Sequence, residues 1–181
     1  MGVDPLLSQV AALSLSVLLL VAASHKLRAP QVFASQLADY QLTPRWAEPA
    51  LQWGLPAAEL MAALGLLAPA SRYLAALLAM ALLMVYTSAI AINLMRGRRR
   101  IDCGCLGPAL RQELSPWLLG RNALLLLLGG VALWPITVRD WGWHDHLITV
   151  LASVALLLLY VAANTLIAYL PQYTQLREKL K

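Results

Sequence analysis

Residues 6–24 read L-L-S-Q-V-A-A-L-S-L-S-V-L-L-L-V-A-A-S, without one charged side chain. At about 1.5 Å per residue a helix of this length crosses the hydrocarbon core of a bilayer. A cleaved signal peptide fits less well. Asp4 is the only charged side chain before the run, and the run exceeds the usual apolar region of about 7–15 residues. It is therefore read as a first membrane span.

Four more runs of this kind follow, at about 49–67, 73–95, 117–135 and 147–170. Pro69-Ala70-Ser71-Arg72 is a tight turn, so the second and third spans should return antiparallel, side by side. The whole chain, 181 residues and 60% hydrophobic, has a mean hydropathy of +0.67. That is too apolar for a soluble protein of this size. The expected fold is all-α: a single integral-membrane domain of five spans, a four-helix core plus one. Residues 29–48 read as an interfacial loop anchored by Phe33, Tyr40 and Trp46, and Trp141-Gly142-Trp143 as an interface belt. Beyond the last span, residues 172–181 read as a polar tail.

The net charge of +5 does not point to nucleic acid, because the basic residues sit between apolar spans. Eleven of the 14 lysines and arginines fall on one side of the five-span arrangement, among them Lys26, Arg28, Arg96 and Arg98 to Arg100. Arg72 and Arg139 fall on the other, and Arg121 lies within a span. The positive-inside rule then predicts an outside N-terminus, a cytoplasmic C-terminus and a cytoplasmic loop 96–114.

That loop holds Ile101–Gly107, I-D-C-G-C-L-G, with the only two cysteines of the chain. A disulfide between Cys103 and Cys105 requires a turn, which Gly104 permits. As a staple it is weak: closing so short a loop removes roughly 1.6 kcal/mol from the unfolded state before strain is subtracted. A strained, exposed disulfide is easily reduced, which suits catalytic or regulatory pairs. Arg98 to Arg100 and the helix start at Ser115-Pro116 favour thiolate, whereas Asp102 opposes it. Cys103, nearer the arginines, is read as the more reactive sulfur. A soft-metal site for Cu(I) or Hg(II) is the rival reading, and inert thiols a third. A closed zinc site lacks further cysteine or nearby histidine ligands.

Polar groups inside spans are costly and mark function by default. Glu59 lies near mid-bilayer, and Arg121 lies just inside the fourth span beside Asn122. Glu59 and Arg121 are candidates for a buried pair. For Lys26 the ordinary alternative is snorkelling, and for Asn93, Asn122 and Asn164 it is interhelical hydrogen bonding. His25 and Lys26 end the first span. His144 and His146, two residues apart, face different sides of a helix and are read as interface residues, with no metal site assigned.

Taken together, S-H-K-L-R at 24–28, P-A-A-E-L at 56–60, N-L-M-R-G-R at 93–98, I-D-C-G-C-L-G at 101–107 and R-N-A-L-L at 121–125 resemble the MauE family of methylamine-utilisation membrane proteins, relatives of DoxX-like proteins. The resemblance covers roughly residues 8–170. It implies a multi-pass helical bundle in a bacterial inner membrane that works with a periplasmic, thioredoxin-like, MauD-like partner to form disulfides in the methylamine dehydrogenase small subunit or other exported proteins. Cys103 and Cys105 would be the redox pair of an oxidoreductase or accessory redox subunit. Lys26, Glu59, Arg121 and Asn122 match the family's other polar positions. By analogy with other disulfide-generating membrane oxidoreductases a quinone would be the cofactor, although no quinone motif is readable. An exported substrate and a cytoplasmic dithiol conflict. Either electrons cross the membrane, or the loop folds back between helices, where buried irregular backbone is tolerated. A soft-metal transporter and a non-catalytic scaffold remain the alternatives.

Overall fold

The computed structural model describes residues 4–99, 101–103, 112–134 and 142–179, with side chains as far as Tyr169. The described residues form six helices: α1 (Pro5–Arg28), α2 (Pro30–Tyr40), α3 (Glu48–Leu67), α4 (Arg72–Met95), α5 (Pro116–Leu133) and α6 (Trp143–Lys179). Five of them, all but α2, are long and apolar enough to cross a membrane. The all-α, multi-pass architecture is the one expected.

Proline punctuates the chain. Pro5, Pro30, Pro49 and Pro116 stand in the first turns of α1, α2, α3 and α5, where a missing N–H costs nothing and a fixed φ helps. Asp4 caps α1 by accepting the Leu6 N–H at 2.8 Å. Ser115 stands at the N-cap of α5 as expected, but its side chain makes no capping hydrogen bond.

Helices α1, α3, α4 and α5 close a ring, each packing on the next and α5 returning to α1. The core of that ring is built from small residues: Ala11, Ala12, Ala62, Ala63, Ala76 and Ala79, with Leu15 and Leu66 filling between them. In a bilayer, lipid is as apolar as leucine, so close backbone approach supplies the association energy. At Gly65 the approach is closest, since a Cβ there would lie 2.7 Å from the Ala75 Cβ. Ser16 reinforces the α1–α3 seam by donating to the Ala63 carbonyl at 2.7 Å. Helix α6 lies outside the ring against α1, with only 11% of its apolar window buried.

Several boundaries differ from expectation. The stretch 29–48 is not simply a loop, because its first half is α2. The face Phe33–Leu37–Tyr40 turns inward, and Gln52 of α3 ties the helix start by donating to the Pro30 carbonyl at 3.1 Å. Phe33 is consequently buried instead of anchoring at the interface, while Trp46 and Trp143 stand 83% and 73% exposed, as interface residues would. The first helix runs one turn past residue 24, to Arg28. Helix α6 begins at Trp143 and continues through the expected polar tail to Lys179. Gly104, Cys105, Pro135, Arg139 and Trp141 lie outside the described residues.

Candidate functional site

Two polar clusters occupy the same end of the ring. The first is built on helices alone. Lys26, in the last turn of α1, pairs with Glu59 of α3, and both side chains are buried, at 9% and 1% exposure. Lys26 Nζ also donates to the Tyr86 hydroxyl of α4 at 3.1 Å, and that hydroxyl donates to Glu59 Oε1 at 2.8 Å. The rings of Phe33 and Tyr86 flank the ammonium, 5.2 and 4.6 Å from their centroids. Lys26 therefore does not snorkel. The expected Glu59–Arg121 pair does not form, because Lys26 reaches Glu59 from the neighbouring helix.

The second cluster holds the loop. Helix α4 ends in a Schellman motif: Gly97, at φ +73°, donates to the Leu94 carbonyl, and Arg98 donates to the Asn93 carbonyl, both at 3.0 Å. The reversal sends the chain across the start of α5. There Asp102 and Glu113 form an antiparallel bridge, the Cys103 N–H donates to the Gln112 carbonyl at 2.8 Å, and the Leu114 N–H donates to the Arg99 and Ile101 carbonyls at 3.1 Å. The Asp102 carboxylate locks this platform, accepting from the Gln112 N–H at 3.1 Å and from Gln36 of α2 at 3.2 Å.

Cys103 is half-buried and packs against Ile90, Leu114 and Leu118. It is disulfide-bonded, and the chain's other cysteine, Cys105, lies outside the described residues. Arg121 of α5, 5% exposed, brings Nη2 to 3.9 Å from Cys103 Sγ. Its guanidinium is held in turn. Nε and Nη2 donate to Asn122 Oδ1 at 3.4 and 3.3 Å, Asn122 Nδ2 donates to Thr87 Oγ1 at 3.1 Å, and Thr87 donates to the Leu83 carbonyl at 2.6 Å. Tyr40 closes the α2 side. Burial, reinforced by the Asp102 carboxylate and opposed by Arg121, pushes its phenol up to about 12, so it stays protonated.

The sequence reading located Lys26, Glu59, Asp102, Cys103, Arg121 and Asn122, and folding brings them to one end of the bundle in two clusters. Consecutive residues of α4 serve both clusters: Tyr86 the first, Thr87 the second. His25 is only half-buried, and among the described residues its side chain makes no hydrogen bond. Of the three asparagines, Asn122 alone bonds across helices among the described residues. Asn93 donates to the Ala89 carbonyl of its own helix at 3.1 Å and accepts from Arg98 at 3.4 Å. Asn164 is buried with neither amide atom hydrogen-bonded among the described residues. Arg98, one of the three arginines expected to favour thiolate, donates to the Tyr40 carbonyl at 3.4 Å. Tyr86, Thr87 and Gln36 were missed, and Phe33, read as an interface anchor, instead flanks the Lys26 ammonium. The Phe33–Leu37–Tyr40 spacing was a signal for α2, whereas nothing local distinguishes Tyr86 from other aromatic residues in spans.

No solved structure matches the chain. Residues 4–135 match the family described as Methylamine utilisation protein MauE. Among its relatives, the Paracoccus versutus protein named methylamine utilization protein MauE is 39% identical over 165 residues, covering 90% of this chain and 88% of its own. The proteins of the same name from Methylorubrum extorquens and Methylophilus methylotrophus are 35% and 34% identical, covering 91% and 92% of this chain and 89% and 88% of theirs. With an apolar five-span bundle, a polar end and similarity along nine-tenths of its length, this chain belongs to the MauE family.

Proposed function

We propose that this protein is a membrane thiol–disulfide redox protein of methylamine utilisation, with Cys103 and Cys105 as its redox pair. It supports disulfide formation in exported proteins, of the methylamine dehydrogenase small-subunit type, through a thioredoxin-like, MauD-like partner. The observation that carries the reading is the Arg121 guanidinium beside Cys103 Sγ, on a platform pinned by Asp102. A cation at a sulfur favours thiolate, the nucleophile and the leaving group of exchange. The same cation repels a metal ion, which weighs against soft-metal transport. In each turnover a partner dithiol attacks the disulfide, passes through a mixed disulfide, leaves oxidised by two electrons, and leaves the chain as the dithiol.

The lysine and arginine distribution favours a cytoplasmic position for the pair. An exported substrate then requires electrons to cross the bilayer or the loop to be reached from within it. Labelling with a membrane-impermeant maleimide, in intact cells and in inverted vesicles, tests both points. Cys103 and Cys105 should label only after reduction, and from one face. Labelling without reduction, or exchange activity kept in the Cys103→Ser/Cys105→Ser protein, would refute the redox reading.

A further inference from the structure

We propose that the cationic pocket where α4 leaves the membrane binds the headgroup phosphate of an anionic phospholipid, and that the bound lipid steadies the loop beside it. The pocket, of about 470 Å³, is lined by Gly97, Arg98, Arg99 and Ile101. Just before it, Met95 ends the α4 span with 80% of its surface exposed. The Leu114 N–H is bonded to the Arg99 and Ile101 carbonyls, so the next span starts at the same level, with Trp117, 43% exposed, in its first turn. In a bilayer, the end of one span and the aromatic start of another mark the depth of the headgroups.

The protein does not neutralise this pocket. Arg98 is half-buried, and its Nη1 donates to the Tyr40 carbonyl and to Asn93 Oδ1, both at 3.4 Å and both neutral acceptors. Arg99 and the neighbouring Arg96 are exposed. The carboxylates of this end do not compensate them. Asp39 and Glu113 point to solvent, and Asp102 accepts from the Gln112 N–H and from Gln36. Among the described residues none of the three forms an ion pair with Arg96, Arg98 or Arg99. A guanidinium held by neutral partners gains most from an ionised oxygen, and its planar fork matches phosphate. Basic side chains at the end of a span are drawn to anionic lipid for the same reason. Ile101 makes the remaining wall apolar, which suits the glycerol and first acyl carbons of a lipid better than a free anion or an acidic peptide.

Occupancy reaches the loop through the pocket's own wall. Arg99 and Ile101 supply the carbonyls that hold the Leu114 N–H at 3.1 Å, and the Cys103 N–H joins the same junction through the Gln112 carbonyl at 2.8 Å. A ligand that grips the Arg99 side chain only while this junction is closed stabilises the closed form by mass action. The effect belongs to local opening and not to the melting of the helix ring, because the pocket touches no residue of the alanine core. The assignment goes beyond the exchange reading and uses neither sulfur, so the two stand or fall separately.

The test titrates the full-length protein in a neutral detergent with dioleoylphosphatidylglycerol or dioleoylphosphatidylcholine, and reads retained lipid by native mass spectrometry. One anionic lipid should be retained with about tenfold preference over the zwitterionic one. Arg99→Gln removes a side chain that makes no hydrogen bond among the described residues, so the fold should survive while most of the preference goes. Arg98→Gln/Arg99→Gln should abolish the preference, and Arg98→Lys/Arg99→Lys should keep part of it. Arg28→Gln/Arg45→Gln removes the same charge from two exposed arginines outside the pocket and should leave the preference intact. Exchange of the Leu114 amide should slow about threefold with phosphatidylglycerol, and not in Arg98→Gln/Arg99→Gln. Equal retention of the two lipids, or equal losses in the two glutamine double variants, would overturn the site. Displacement of the lipid by inorganic phosphate would reassign the pocket to a free anion, and displacement by an oligoglutamate peptide would reassign it to an acidic protein. Either result overturns the lipid assignment, and a Leu114 amide indifferent to bound lipid overturns the steadying of the loop.

Discussion

The two polar clusters at the sulfur-bearing end of the bundle solve opposite problems. Lys26, Glu59 and Tyr86 are donated by three helices, with Lys26 and Glu59 buried and Tyr86 half-buried, and they bond one another through Glu59 Oε1, leaving Glu59 Oε2 buried without a hydrogen bond among the described residues. Cys103, Asp102 and Arg121 combine an irregular loop with one helix, and backbone bonds to residues 112 and 114 fasten the loop. In the first, losing either Lys26 or Glu59 strands the other's charge in an apolar interior. The second can open locally, because the loop is fastened by its own bonds to residues 112 and 114 and to Gln36, while the helix-to-helix bond from Asn122 to Thr87 stays in place. The exchange proposed for Cys103 requires access, which the second kind of construction allows beside the rigidity of the first.

That contrast breaks most sharply at Glu59. Glu59→Ala leaves Lys26 buried without its carboxylate and should cost about 3–5 kcal/mol, read as loss of thermal stability in detergent. Replacing both partners, Lys26→Met with Glu59→Leu, should recover most of it. A double variant as unstable as the single one would mean that the cluster is not self-contained. On the loop side, Asp102→Ala removes a charge-assisted bond to the Gln112 N–H, and opening of the platform should become easier by about 1.5–3 kcal/mol. Amide exchange at Cys103 and reduction by dithiothreitol should both accelerate, with global melting almost unchanged. Melting that follows Asp102 as strongly as Glu59 would erase the distinction.

Smaller effects refine it. At Gly97 an added Cβ meets nothing within 4 Å, so Gly97→Ala isolates the cost of a left-handed backbone, about 1 kcal/mol, and Gly97→Asn should cost less. Hydrogen exchange of the Arg98 N–H reports it. Within the bundle, Ser16→Ala removes one interhelical hydrogen bond and should lower stability by about 0.6 kcal/mol in the same detergent melt. A loss several times larger would make the α1–α3 seam depend on polarity instead of close packing.

Much of this could be read from the chain alone, for identifiable reasons. Membrane spans are legible because length and apolarity are local properties, and the bilayer demands both. The dithiol was legible because two cysteines one glycine apart have few uses. Helix α2 was passed over because Pro30–Tyr40 is short and of mixed polarity, and its inward face becomes visible only when α1 and α3 are there to receive Phe33. The extra turn of α1 escaped notice because the run from Ser24 to Arg28 looks like a basic edge until Glu59 and Tyr86 cover Lys26.

From the amino-acid order alone came the number of spans, the family resemblance, the sulfur pair and the buried Lys26, Glu59, Asn93, Arg121, Asn122 and Asn164, since each is written in composition and short spacing. Only the tertiary structure decided who meets whom: Lys26 with Glu59, Arg121 with Cys103, and Tyr86 and Thr87 between the two clusters. Those partners lie on different helices or, for Cys103, on the loop between α4 and α5, 18 to 60 residues apart. The order in which helices close a ring, and the small residues that let them approach, select the pairing, and no local pattern encodes either.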